Sequence, residues 1–147
     1  GIIIGRTACR VPANAADNFI AGYTVVNDIC LPHDNFYRPS LRFNARDGFC
    51  PIANARIAAA VVSDPDALAT RVWIDDEPVF EGSTGGRIRS VRQLVADVTE
   101  FMTLQPGDIL LLGAGAGAPL AADGQRIRVE IMGIGSMENR VEREESR

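Results

Sequence analysis

The sequence predicts a β-rich α+β fold with mostly antiparallel strands. Three observations lead there. Short runs of β-branched and apolar residues recur along the chain, one segment shows strong helical periodicity, and strands and helices do not alternate as a parallel βαβ sheet requires. In a chain of 147 residues these amount to one domain with room for a substantial core.

The first element is Gly1-Ile2-Ile3-Ile4-Gly5, an apolar run that reads as a buried strand. Asn14 or a neighbour is placed to start a short helix through Ala21, entered after Pro12 and ended by Gly22 in a left-handed conformation. Tyr23 to Ile29 is β-branched and reads as a strand. Between Leu31 and Pro51, three prolines with Asp34-Asn35 and Asp47-Gly48 mark a long loop of the kind that carries sites.

Further on, Val72-Trp73-Ile74 and Pro78-Val79-Phe80 flank Asp75-Asp76-Glu77, the pattern of a hairpin. Gly82-Ser83-Thr84-Gly85-Gly86 reads as a mobile connection. The clearest helix runs from Val91 to Met102, with Val91, Leu94, Val95, Val98, Phe101 and Met102 on one stripe. Ser90 and Gln93 have the spacing of a capping box. Pro106-Gly107-Asp108 turns the chain into a buried strand at Ile109 to Leu112. Ile127, Val129 and Ile131 then alternate with Arg126, Arg128 and Glu130. Gly133 and Gly135 bracket a turn into a last strand near Met137 to Val141, and a charged tail from Glu142 to Arg147 is expected to fray.

Composition excludes several function classes. The apolar share of 46% with 23% charged residues is that of an ordinary globular protein, and a net charge of −4 leaves no electrostatic footprint for nucleic acid. Arg87-Ile88-Arg89 and Arg126-Ile127-Arg128 read as alternating exposed strands or turns. Cys9, Cys30 and Cys50 are odd in number and lack paired spacing, which points to reduced thiols in a cytoplasmic protein. No apolar run reaches the roughly 18 residues of a spanning helix, and no signal-peptide pattern opens the chain. The expected partners are a small acid and other protein chains, with neither nucleic acid nor membrane. Gly113-Ala114-Gly115-Ala116-Gly117 fails as a nucleotide loop because no helix follows it, and reads as a flexible loop beside the site.

The segment Phe19 to Asp28 delivers a carboxylate at the end of an apolar run. Asn44-Ala45-Arg46-Asp47-Gly48-Phe49-Cys50-Pro51 follows in the next loop. Together with Phe36-Tyr37-Arg38-Pro39 and Glu100 to Asp108, this pattern resembles the fumarylacetoacetate hydrolase superfamily across nearly the whole chain. Within it the likeness is to the isomerase/decarboxylase branch of homoprotocatechuate (4-hydroxyphenylacetate) degradation, and there to the N-terminal half of the duplicated enzyme. The resemblance implies a mixed sheet rolled into a barrel-like core with peripheral helices. It also implies 2-oxo acid chemistry in which a divalent metal stabilises an enolate. Decarboxylation of 5-oxopent-3-ene-1,2,5-tricarboxylate with isomerisation of its product is the expected reaction. Hydrolysis of an acylpyruvate carbon–carbon bond is a close variant, and a non-catalytic half completing an active paralogous subunit is the rival.

On this reading Asp28 is the metal-binding position, for Mg²⁺ first and Mn²⁺ or Ca²⁺ otherwise; the competing reading is a strand-ending aspartate bonded to local amides. Four departures from the family pattern stand beside it. Pro32 replaces an arginine, Asn44 a lysine, Gly48 a hydroxyl residue, and Leu112-Gly113-Ala114-Gly115 a Thr-Gly-Thr-Pro segment. Asn44, Arg38, Arg42 and Arg46 are the candidate substrate contacts, with ion pairing to Asp34 and Asp47 as the alternative for the arginines. His33, the sole histidine, is the candidate for proton transfer, against the reading of a solvated loop residue. Tyr23 and Tyr37 read as core residues before site residues. The resemblance implies an N-terminal region ahead of Gly1 with a Glu-His pair and two metal-binding glutamates, so the chain is expected either to be an incomplete domain or to draw those groups from elsewhere. The expectation is therefore one such domain over residues 1–147, associated with a second copy or a paralogous subunit.

Overall fold

A computed structural model describes residues 1–33, 41–113 and 117–144. Within these, the chain builds two four-stranded sheets. The first has the order β3-β2-β1-β6, made by Ile57–Ala58 (β3), Ile20–Tyr23 (β2), Ile2–Ile4 (β1) and Ile109–Leu110 (β6). The second has the order β5-β4-β7-β8, made by Glu77–Ser83 (β5), Ala69–Ile74 (β4), Arg126–Ile131 (β7) and Gly135–Arg140 (β8). Every pairing is antiparallel, so the mixed sheet expected from the resemblance is replaced by two antiparallel ones. Among the described residues no ladder closes either sheet on itself.

The apolar run at the start of the chain is a central strand, and this explains its composition. Ile2, Ile3 and Ile4 are all buried, because β1 lies between β2 and β6 and is covered on both faces. The core gathers Ile2 and Ile4 with Ile20, Val25, Val91, Val95 and Leu104. The α-helix Val91–Phe101 packs against a 3-10 helix at Ala13–Phe19. To keep labels in chain order, the short helix Leu41–Asn44 is α1 and Val91–Phe101 is α2.

Several local expectations are corrected. The first helix begins at Ala13, beside Asn14 and directly after Pro12 as expected, but it is a 3-10 helix and no side chain caps it. Gly22 does not end that helix; it lies within β2, paired with Ala58, where an added Cβ would collide with the Ile57 carbonyl oxygen. The regular strand there is Ile20–Tyr23, earlier than the predicted Tyr23 to Ile29. Ser90 caps α2 as expected, its hydroxyl accepting from the Gln93 amide at 3.2 Å. The reciprocal half of the box is absent, since the Gln93 side chain donates to Asp97 at 2.6 Å. The apolar stripe holds through Val91 and Val95 but not at its end: Phe101 is 77% exposed, while Thr99 takes the inward position.

The second sheet follows its sequence closely. Asp75 and Asp76, at φ of 49° and 69°, form the two-residue turn between β4 and β5. The alternation in β7 puts Ile127, Val129 and Ile131 on the face turned toward the first sheet's strands, with Val72 and Ile74 of β4 beside them. On the opposite face the Arg128 guanidinium lies 4.0 Å from the centre of the Trp73 ring.

Two segments read as loose make specific contacts, with residues 145–147 of the charged tail outside the described residues. Thr84, in the glycine-rich connection after β5, is buried; its hydroxyl donates to the Pro65 carbonyl at 2.8 Å and accepts from the Leu68 amide at 2.9 Å. In the charged tail, the Asp123 carboxylate accepts from the Arg143 amide at 2.8 Å and Glu144 pairs with Arg46. The three cysteines are free and exposed. No helix among the described residues is long and apolar enough to cross a membrane.

Candidate active-site cleft

Between the two sheets lies an open cleft of about 1480 Å³. One wall comes from β1 and the chain beyond β2, including Ile2, Tyr23, Val26 and Asp28. The other comes from β4 and β7, including Thr70, Val72, Ile127 and Val129. The face of β7 whose periodicity is legible in the sequence is thus a cleft wall as well as a core surface.

The geometry accounts for the spacing between the two recognised segments. After β2 the chain continues extended, and the segment ending at Cys50-Pro51 returns antiparallel beside it. The Asn27 amide donates to the Pro51 carbonyl at 3.1 Å and the Ile29 amide to the Phe49 carbonyl at 2.9 Å. An isolated bridge joins Val26 to Ile52. Further back, the buried Thr24 hydroxyl donates to the carbonyls of Ala53 at 3.2 Å and Ala55 at 2.8 Å. These bonds hold Asp28 at an exposed position on the cleft wall. The Asn27 side-chain nitrogen beside it is buried and has no hydrogen-bond partner among the described residues.

The other predicted site residues are distributed unevenly. Arg46 lines the cleft, but its charge is engaged: it pairs with Glu144 and sits 5.7 Å from the centre of the Phe49 ring. That partner is not Asp47, one of the acids expected from sequence, and Asp34, the other, lies outside the described residues; an acid nearly a hundred positions away was not visible to local reading. Arg42 lies over Phe43 at 4.6 Å and Asn44 is exposed in α1; neither is on the cleft wall. His33 stacks on Phe43 with ring centres 5.0 Å apart, off the cleft wall. Arg38 and Tyr37 lie outside the described residues. Tyr23 is buried in the core and also borders the cleft; burial pushes its phenol up to about 12, so it is neutral at working pH.

One residue missed as a site candidate is Arg87. Read as part of an exposed strand or turn, it is half-buried in the cleft wall, where Nε donates to the Thr84 carbonyl and Nη1 to the Leu112 carbonyl, both at 3.2 Å. The only sequence signal was its place after a glycine-rich connection.

The donor set is poor for a hard cation. Among the described residues no three His, Cys, Asp or Glu side chains come together in a metal-holding group. A single carboxylate at Asp28 falls well short of the six or so oxygens that Mg²⁺ or Ca²⁺ requires. These residues do not fit a self-contained metal site.

Comparison with known proteins places the chain. Residues 1–142 match the family described as fumarylacetoacetate (FAA) hydrolase C-terminal. The 4-hydroxyphenylacetate degradation bifunctional isomerase/decarboxylase of Salmonella dublin is 39% identical over 147 residues, which cover 99% of this chain and 34% of that protein. The chain therefore spans about a third of that relative. The match falls on its C-terminal part, which corrects the expected likeness to the N-terminal half. Two solved structures are similar at 30% identity. Maleylpyruvate hydrolase from Sphingobium sp. SYK-6, in complex with manganese(II) ion and pyruvate, has a TM-score of 0.87 over 96% of this chain and 51% of that one. The 5-carboxymethyl-2-hydroxymuconate delta-isomerase from Mycobacterium smegmatis has a TM-score of 0.85 over 99% of this chain and 57% of that one. The two segments that meet at Asp28, the two-sheet architecture and the match over residues 1–142 agree: this chain belongs to the fumarylacetoacetate hydrolase family.

Proposed function

We propose that this chain is a subunit of an enzyme acting on a 2-oxo di- or tricarboxylic acid in aromatic catabolism, by decarboxylation and isomerisation. The observation that carries the reading is the position of Asp28, held by the returning Phe49 to Ile52 segment on the wall of a cleft between two sheets. The names of the relatives, an isomerase/decarboxylase and a maleylpyruvate hydrolase, support the substrate class. In such a reaction the bond to the departing carboxylate breaks, its electron pair delocalises onto the 2-oxo oxygen as an enolate, and a proton returns to carbon. This chain's part is to bind and orient the acid between its apolar strand faces. No step is assigned to a metal in this chain, because its donors do not fit one. The two sheets are taken as walls of the rolled core that the resemblance implies.

A specific observation favours a second reading, that of a structural half completing an active paralogous subunit: the described residues offer Asp28 without companion ligands. Both readings imply association, with a second copy or with a paralogous chain. The test is turnover of oxaloacetate and acetylpyruvate by the full chain, followed by loss of enol absorbance in the presence of Mg²⁺ or Mn²⁺. Turnover that is abolished in Asp28→Ala supports the enzyme. No turnover, with activity gained only on mixing with a second family chain, moves the conclusion to the structural half.

A further inference from the structure

We propose that the outward face of the second sheet is a self-complementary surface that pairs with the same face of a second copy of this chain. The two β7 strands would lie antiparallel across one another, about a two-fold axis level with Val129. This goes beyond the reading of the cleft and needs none of its chemistry.

Along β7 the side chains alternate. Ile127, Val129 and Ile131 turn to the cleft, and Arg126, Arg128 and Glu130 turn to the other side. Several charges on that outward face are paired within the sheet: Arg71 with Glu81, and Arg126 with Asp76 and Glu138. Arg128 and Glu130 are left over. Both are half-buried, and neither makes an ion pair among the described residues. Their cross-strand partners of opposite sign, Glu138 and Arg71, are engaged elsewhere. The Arg128 guanidinium lies against the Trp73 ring, which fixes its place without cancelling its charge. Its Nε is buried with no hydrogen-bond partner among the described residues, so the group has bonding capacity unused.

A cation and an anion two residues apart on one strand face, about 7 Å, complement themselves when an identical strand lies antiparallel over them. Arg128 of one copy then faces Glu130 of the other, and the contact occurs twice, as an isologous interface requires. A parallel crossing would oppose like charges. Across the strands, Glu130 is level with Arg71 and Arg128 with Trp73. The same axis therefore sets Arg71 of one copy over Trp73 of the other, a second cation–ring contact. Such charge pairs fix orientation more than they add affinity, because both groups must shed water. β4 and β7 are six residues long, which spans about 20 Å. A face of that size is at the low end of specific interfaces, and the dimer is expected to dissociate on the order of 100 µM.

Trp73 is the only tryptophan in the chain, so its fluorescence reads this face directly. The experiment follows the full chain by sedimentation equilibrium and Trp73 emission, over concentrations bracketing that value, in low and high salt. The mass should rise from monomer to dimer while the emission shifts to the blue over the same range, and high salt should weaken the association. Arg128→Glu alone and Glu130→Arg alone should each weaken it by about tenfold or more, because each opposes like charges across the axis. Mixed in equal amounts, the two variants should associate with each other, since one presents two anions and the other two cations. If Arg128→Glu does not fold, Glu130→Arg and Glu130→Gln decide, and the loss should be larger for the first. A chain that stays monomeric throughout would overturn the proposal. So would losses that do not recover on mixing, or self-association that none of these substitutions alters, which would place it on another surface. None of these outcomes bears on whether the cleft takes a 2-oxo acid.

Discussion

Asp28 stands across from Cys50 in the short antiparallel ladder beside the cleft, bracketed by the Asn27–Pro51 and Ile29–Phe49 hydrogen bonds. Residues directly opposite in such a ladder share a face and come close. The backbone at the end of one recognised segment therefore runs directly beside the backbone near the end of the other. The loop between them is long in sequence, but its two ends are stitched together by backbone bonds, which makes the pair of segments one structural unit.

Asp28→Asn should barely alter stability. The residue is exposed, and the bonds that hold its segment are backbone bonds that asparagine keeps. The expected change is within about 0.5 kcal/mol, the usual range for a surface position without special partners. Urea melts of the two proteins check it. A loss of several kcal/mol would make Asp28 a structural residue and remove it from the candidate site.

Val95→Asp should do the opposite. Val95 is fully buried in the centre of the α2 stripe, within the core cluster. An unpaired carboxylate there would cost on the order of 4 kcal/mol, a large share of a small domain's stability. The expected result is a chain that is unfolded or strongly shifted in urea midpoint; a native-like midpoint would mean that α2 does not dock as described.

These two sites also show what sequence reading reaches. Periodicity carried α2 and β7 well, because burial on one face imposes a repeat that a short window reveals. It misplaced the exposed Phe101 and the inward Thr99, since the end of a helix is set by what it packs against. Thr99 accepts from the Val11 amide at 3.1 Å, a partner from the far end of the chain. The contacts of Arg46 with Glu144 and of Arg87 with the Thr84 and Leu112 carbonyls were out of reach for the same reason: they are defined by the folded sheets. Asp28 was put forward through a family resemblance and not through local chemistry.

Acid should weaken the second sheet through Asp75. Its carboxylate accepts from the Arg126 amide at 2.9 Å and the Gln125 side chain at 3.0 Å, and these bonds, the Arg126 one first, hold it below its ordinary value of 3.8. A carboxyl depressed in the folded state contributes stability that is present above its unfolded value and lost as pH falls through the folded one. Asp97 acts in the same direction, held down by Arg89 and then Gln93. Urea midpoints should therefore fall as pH drops below about 4, and Asp75→Asn should flatten that fall. An unchanged acid slope in the variant would show that Asp75 carries none of it.

Thr24→Val should loosen the ladder without emptying the core. Thr24 is 1% exposed, and its hydroxyl donates toward the carbonyls of Ala53 and Ala55, tying the returning segment to the strand that leads to Asp28. Valine matches the shape but leaves the buried Ala53 carbonyl and the part-buried Ala55 carbonyl sharing one donor fewer, which costs about 1–3 kcal/mol. The damage should be local. Hydrogen exchange at the Asn27, Ile29 and Ala53 amides should accelerate beyond the global change, because all three bond across this ladder. The amides of β4 and β7, in the other sheet, should follow the global change alone. Uniform acceleration across both sheets would mean that the Thr24 hydroxyl supports the whole fold and not the placement of Asp28.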